Sequence, residues 1–287
     1  MPNLSPDKHT ILILGASGFI GNALYKELLS YFKTYGTYFR QEGNYGDNQV
    51  FFKYDAANQD IHPILEQTQP TVIISALDGP HDAVLTAHRD IAQYVQSHHY
   101  SRILYLSSVH VFDAKRDHPS YENDTPKTDS DFGKHKLAIE QLLLEQIPAQ
   151  TTILRLPLVL GVNAPRIVQL IQASKHKAAY EVYPNLVVSV TTVDKIAQQV
   201  HFIINQDLDG IYHLASEDVI HHNDLIAELC EKITDEPPLF KNVYQRNEDS
   251  YLAILPKINP LPPSYRITIA EVIDDCTLKE EISTFRS

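Results

Sequence analysis

The stretch ILGASGFIGNAL (residues 13–24) decides how this chain folds. Gly15, Gly18 and Gly21 stand in it at the spacing G-x-x-G-x-x-G. Before them runs the apolar segment TILILGA (10–16), which has the make-up of a strand buried on both faces. After them GNALYKELLSYF (21–32) repeats Ala23, Leu24, Leu28 and Phe32 at helical spacing. A glycine triplet alone marks an ordinary strand–helix turn; between these two elements it has a further use. Gly15 permits the tight turn, Gly18 lets the backbone approach a pyrophosphate, and Gly21 lets the helix lie close to the strand. The first helical turn then offers free N–H groups and a positive dipole end to the anion. With Ser17, Phe19 and Ile20 the loop reads as the phosphate turn of a dinucleotide site.

Beyond this turn, strand and helix signals alternate. TYGTYFR (34–40), VFFKYD (50–55), TVIISAL (71–77), RILYLSS (102–108) and TTILRLPLVL (151–160) read as strands. DIHPILEQTQP (60–70), a segment over about 81–99 and another over 133–146 read as helices. The polar segment 113–130, with Pro119 and Pro126, reads as a loop over the sheet edge. Strands separated by helices predict an α/β fold with a doubly wound parallel sheet of Rossmann type. After residue 161 the pattern loosens. Helices are expected near 164–176, 194–204, 223–233 and 268–282, and strands at NLVVSV (185–190) and GIYHLAS (210–216), with the proline-rich LPKINPLPPSYRI (255–267) before the last helix. Residues 1–160 are thus expected to form a dinucleotide-binding domain. Residues 161–287 are expected to form mostly a small C-terminal substrate lobe, with some elements returning to the sheet.

The composition narrows the function classes. The 287 residues are 43% apolar, enough for a sizeable core. A net charge of −12 with no basic cluster argues against nucleic acid. No apolar run approaches the roughly 20 residues that cross a bilayer, and MPNLSPDKHT gives no sign of a signal peptide. Cys230 and Cys276 lie far apart without CxxC spacing, which suits a reducing, cytoplasmic setting. The 14 histidines form no HExxH or Cys/His ligand pattern, so no metal site is expected. LSSVH lacks the glycine-flanked nucleophile elbow of a hydrolase.

The second strand ends in GTYFRQ (36–41), with Arg40 where an acid would accept the adenosine ribose hydroxyls. A guanidinium there suits a 2′-phosphate, which favours NADP over NAD. Asp55, Ser75 and Ala76, at the ends of the third and fourth strands, are expected to flank adenine and ribose.

YLSSVHVFD (105–113), SYENDTPKTDSDFGKHKLAIEQ (120–141), ILRLPLVLG (153–161), VTTVDKIAQ (190–198) and GIYHLAS (210–216) follow the glycine loop in order. With them the chain resembles an extended short-chain dehydrogenase/reductase, within it the dTDP-4-dehydrorhamnose reductase group. The resemblance implies a nicotinamide cofactor, a nucleotide-sugar or related substrate, and pairing of two copies through the helices near 81–99 and 133–146, where Leu137, Ile139, Leu142 and Leu143 enlarge the apolar surface. It assigns Ser108 to the substrate carbonyl and Lys136 to the nicotinamide ribose. The catalytic tyrosine of the group falls on Phe132, its neighbouring acid and aromatic on Val109 and His110. Arg155 and Arg166 are candidates for a substrate phosphate.

Reducing a ketone by hydride leaves an alkoxide that needs a proton, and a phenylalanine has none to give. Three readings stay open. His110, Tyr121 or a water held by Ser108 donates instead; or the fold is kept for binding, as in the regulatory subunit of methionine adenosyltransferase that resembles this group; or the phenylalanine was introduced to trap a complex.

Overall fold

A computed structural model describes residues 9–277 except Gln41, Asp47 and Gln245. The nucleotide-binding half carries β1 (Thr10–Leu14), β2 (Lys33–Tyr38), β3 (Phe51–Lys53), β4 (Val72–Ser75), β5 (Arg102–Ser108) and β6 (Thr151–Leu156). Between them lie α1 (Phe19–Leu28), α2 (Glu42–Tyr45), α3 (His62–Thr68), α4 (His81–Ser97) and α5 (Asp131–Gln146). The second half adds β7 (Leu158–Leu160), α6 (Pro165–Lys175), β8 (Ala179–Val182), β9 (Leu186–Val188), β10 (Val190–Thr192), α7 (Val193–Asn205) and β11 (Gly210–His213). It ends with β12 (Ile220–His221), α8 (His222–Ile233), β13 (Leu239–Asn242), β14 (Ser250–Leu252) and α9 (Ile269–Asp275). The last expected helix runs beyond 277, outside the described residues.

Seven strands form one parallel sheet in the order β11-β6-β5-β4-β1-β2-β3. Alternation along each strand serves two cores. Ile11 and Ile13 of β1 pack with α1 and α7 through Leu24, Leu28, Ile196 and Val200. Leu12 and Leu14 pack on the other face with α3, α4 and α5 through Leu65, Ile91, Ile139 and Leu143. A strand covered on both faces must be apolar throughout, which is why TILIL carries no alternation. The chain winds outward from β1 to β3, then crosses to place β4 on the other side of β1. That reversal opens a crevice at the carboxyl edge, where ligands of such sheets bind.

The expected strand 151–160 is two strands. Pro157 has no N–H to donate, so the ladder to β5 stops at Leu156. The chain then turns away as β7, which pairs with β10. Likewise 185–190 divides into β9 and β10 at Ser189, whose buried hydroxyl accepts the Ile254 N–H at 3.0 Å. Residues 210–213 return to the main sheet beside β6, and α7 covers it next to α1. The lobe packs around Leu160, Leu170, Val188, Leu225, Leu229 and Val272.

α5 begins at Asp131, two residues earlier than its apolar pattern predicts. Ser130 caps it, accepting the Gly133 N–H at 3.0 Å. Ile139 and Leu143 are fully buried, while Leu142 and Leu137 pack at the margins of two of the chain's own clusters. Among the described residues no helix is long and apolar enough to cross a membrane.

Candidate active site

The glycine loop joins β1 to α1 at the crevice. Gly15 has φ +78°, and a Cβ on it would stand 2.5 Å from the Ala76 carbonyl oxygen. A Cβ on Gly21 would stand 2.2 Å from the Gly15 carbonyl oxygen, so only glycine lets α1 approach the strand. Gly18 is the N-cap of α1, and no side chain caps the helix there. A Cβ on Gly18 would meet only the Gly15 oxygen, at 3.3 Å, so its outer face is open. The uncapped first turn and the open glycine fit a pyrophosphate. Ser17, Phe19 and Ile20 are half-buried. Phe19 leans on the lobe core and Ile20 on the sheet core.

Around this loop the expected cofactor residues differ in what they have free. Arg40 is exposed just beyond β2, its guanidinium over the Phe39 ring at 5.5 Å. The Asp55 carboxylate folds onto its own turn, accepting from the Ala57 N–H at 3.0 Å and the Asn58 amide at 2.7 Å. Ser75 is buried, with its hydroxyl 2.8 Å from His88 Nε2. His88 Nδ1 lies 2.7 Å from the Val84 carbonyl, which can only accept. The proton therefore sits on Nδ1, and Nε2 accepts from Ser75; burial holds this ring's pKa down to about 4. Ser75 thus offers a ligand only its backbone, as does Ala76.

Ser108 closes β5 and caps the short turn Val109–Phe112. Its Oγ lies 2.9 Å from His110 Nδ1. The Phe132 ring meets the His110 ring edge-on at 5.3 Å between centroids. Lys136, one turn along α5, donates to the Leu106 carbonyl at 3.1 Å, with Nζ over the rings of Tyr105 and Phe132 at 5.2 and 5.7 Å. Ser108, His110, Phe132 and Lys136 therefore share one corner of the crevice. Burial depresses the His110 pKa; the Asp113 carboxylate opposes this and the Arg166 charge adds to it. Burial also brings Lys136 down to about 8, against the pull of Asp78 and Glu140.

Gly133 allows this convergence. A Cβ there would lie 2.0 Å from Thr128 Oγ1 and 2.3 Å from the His110 carbonyl oxygen. Gly133→Ala must push α5 away from the His110 turn, at a cost of about 1–3 kcal/mol. Denaturant unfolding should show that loss, and an unchanged midpoint would contradict the close contact.

Two substrate candidates are corrected by their burial. Arg155 is 2% exposed and gives its guanidinium to Glu140, Nε to Oε1 at 3.1 Å and Nη2 to Oε2 at 2.8 Å. As a central-strand residue covered by α5 it cannot reach a substrate phosphate. The Val109 side chain is 3% exposed, in a small cluster with Val111, Phe112, Ala215 and Ile254, so only its backbone can face a ligand. Arg166, by contrast, is exposed at the start of α6 and makes no ion pair among the described residues. Tyr121 lies under the Lys257 ammonium, 4.5 Å from its ring. A cluster that sequence spacing does not reveal also forms, because Asp90 comes from α4: Asp60, His62 and Asp90 bring ligand atoms within 4.8 Å of one another.

The seven-stranded parallel sheet and the glycine turn between β1 and α1 define a Rossmann-like α/β fold. Residues 9–251 match the family model of the RmlD substrate binding domain, and the chain belongs to that family. Its fold is similar to a dTDP-4-dehydrorhamnose reductase from Bacillus anthracis str. Ames in complex with NADP. The TM-score is 0.76 at 17% identity, over 92% of this chain and 96% of that one. A hypothetical dTDP-4-dehydrorhamnose reductase from Sulfolobus tokodaii gives 0.73 at 21% identity, over 85% and 91%. Methionine adenosyltransferase 2 subunit beta of Danio rerio is 29% identical over 161 residues, 53% of this chain and 48% of that protein. The chain spans about half the length of the curated relatives it matches.

Proposed function

We propose that this protein binds NADP and reduces a keto group on a nucleotide sugar, with its proton drawn from His110 through Ser108. The observation that carries the reading is the 2.9 Å contact between Ser108 Oγ and His110 Nδ1, beside a phenylalanine where the resemblance places a phenol. The B. anthracis reductase of similar fold, in complex with NADP, supports the cofactor and the substrate class.

NADPH, when bound, supplies the hydride. Ser108 Oγ–H donates to the substrate carbonyl oxygen and gives up its proton as the alkoxide forms. An imidazolium at His110 refills the serine from Nδ1, which leaves a neutral ring. Lys136 holds its ammonium towards the cofactor ribose, and Arg166 faces the substrate diphosphate across the crevice. Phe132 supplies no proton; its ring shields the reacting carbon from water.

Turnover of NADPH with a panel of keto-sugar nucleotides tests this reading. Binding without consumption across the panel would replace it with that of a silent dinucleotide-binding subunit, which Phe132 and the D. rerio relative favour. Cofactor choice is a separate expectation. NADPH should bind more tightly than NADH, and Arg40→Ala should erase most of the difference, a loss of about 1.5–3 kcal/mol for one charge-assisted contact. Calorimetric titration with both cofactors checks it; equal native affinities would remove Arg40 from the role.

A further inference from the structure

One buried acid beside this corner has no part in the proposed chemistry. Glu140 is 1% exposed and lies one helical turn beyond Lys136 on α5. Its Oε1 accepts from the Ser107 hydroxyl and from Arg155 Nε at 3.1 Å, and its Oε2 from Arg155 Nη2 at 2.8 Å. Arg155 Nη1 reaches on to the Glu122 carbonyl at 3.4 Å. Lys136 meanwhile donates to the Leu106 carbonyl at 3.1 Å. Two rungs one helical turn apart therefore fasten α5 to consecutive residues of β5, and Ser108 follows immediately.

We propose that Glu140 is a positioning residue, which holds Lys136 in place against β5 and supplies the buried negative charge that keeps it an ammonium. A buried ion pair returns little net stability, because desolvation offsets most of its attraction, and apolar packing would serve a core as well. What the pair adds is register. With the carboxylate bonded to both β5 and β6, α5 cannot slide, and Lys136 stays one turn from Phe132 and level with Ser108.

The charge follows from the surroundings of Lys136. From β5 it meets the Tyr105 ring and the Leu106 carbonyl. From α4 it faces the neutral His88, and from α5 the Phe132 ring, His135 and Glu140. Asp78, before α4, is the larger of the two acidic influences that favour the ammonium. It is exposed, so water and salt screen it, whereas Glu140 is buried. Glu140 is not screened, although Arg155 offsets part of its charge. Its removal should therefore let burial draw Lys136 further towards the neutral amine. The significance for the cofactor rests on the reading of Lys136 as the lysine that meets the dinucleotide.

The test follows the rate of Lys136 acylation against pH by peptide mass spectrometry on the free protein, with NADPH affinity measured alongside. Glu140→Gln strands the Arg155 charge, so the double variant Glu140→Gln/Arg155→Met is made as well; it removes both charges. In Glu140→Gln the Lys136 midpoint should move down by about one pH unit, and NADPH affinity at pH 8 should fall about fivefold, the expected loss of ammonium. In the double variant the midpoint should move the same way by less, because the Arg155 charge is removed too. Ser107→Ala, which removes a hydroxyl and no charge, should leave the midpoint in place. Folded variants that titrate Lys136 as the native protein does would overturn the proposal. A midpoint that moves in a protein that binds no NADPH would uphold the role of Glu140 and sink the dinucleotide reading instead.

Discussion

His110→Ala is expected to lower keto-sugar reduction about 10²–10⁴-fold, the usual worth of a positioned general acid, while NADPH still binds. The ring stands 2.9 Å from Ser108 Oγ and donates nothing to the cofactor in the proposed site. Alanine leaves Ser108 able to hold the carbonyl but with no source to refill it. The pH profile carries a second signature. Burial, with help from Arg166, sets the His110 pKa below the ordinary histidine value of 6.5, so the imidazolium prevails only in acid solution. Reduction should therefore be fastest at mildly acid pH and fall as pH rises through that depressed pKa. His110→Ala should flatten this limb. A variant that keeps full turnover with the native profile would exclude the histidine as donor.

Phe132→Tyr is expected to raise reduction at neutral pH by about tenfold or more and to restore turnover in the His110→Ala background. The ring is 42% exposed at the crevice and lies 5.7 Å from Lys136 Nζ, so a hydroxyl can be added without burying an unpaired polar group. The spacing of four residues places both side chains on one face of α5. The lysine would lower the pKa of the new phenol, and Ser108 would present the carbonyl to it. The gain falls short of the full general-acid range because Val109 and His110 have also departed from the pattern. Normal NADPH binding without turnover in the tyrosine variant, on a broad panel of nucleotide sugars, would favour the silent subunit.

Much of this architecture was legible because it depends on short-range patterns. An apolar strand, three glycines and an amphipathic helix specify the first strand–turn–helix unit within twelve residues, and each strand of the parallel sheet is read from its own apolar run. Phe132 and Lys136 face one way because they share a helix, and Ser108 and His110 because they share a strand end. Long-range partners were not legible. Ser75 is consumed by His88 from α4, and Arg155 by Glu140 from α5. The second pair did leave a trace. Arg155 interrupts the apolar strand TTILRL, and Glu140 sits on the buried stripe of α5 with Gly133, Ile139 and Leu143. Two charges at interior positions require each other, since either one alone would be costly. The division of TTILRLPLVL was likewise written in Pro157, whose missing donor ends a central strand.

The return of β11 to the sheet bears on what the smallest stable version of this protein can be. Ile211 and Tyr212 pair with Ile153 and Leu154, so β6 has neighbours on both sides only when the chain has passed through the lobe and come back. A fragment cut after the first six strands would carry every glycine of the β1–α1 turn, yet it would end in an unsatisfied edge of apolar residues. Such an edge is a template for other chains. The lobe is therefore an excursion between two adjacent strands, and the polypeptide that forms the glycine turn is not separable from the polypeptide that forms the lobe.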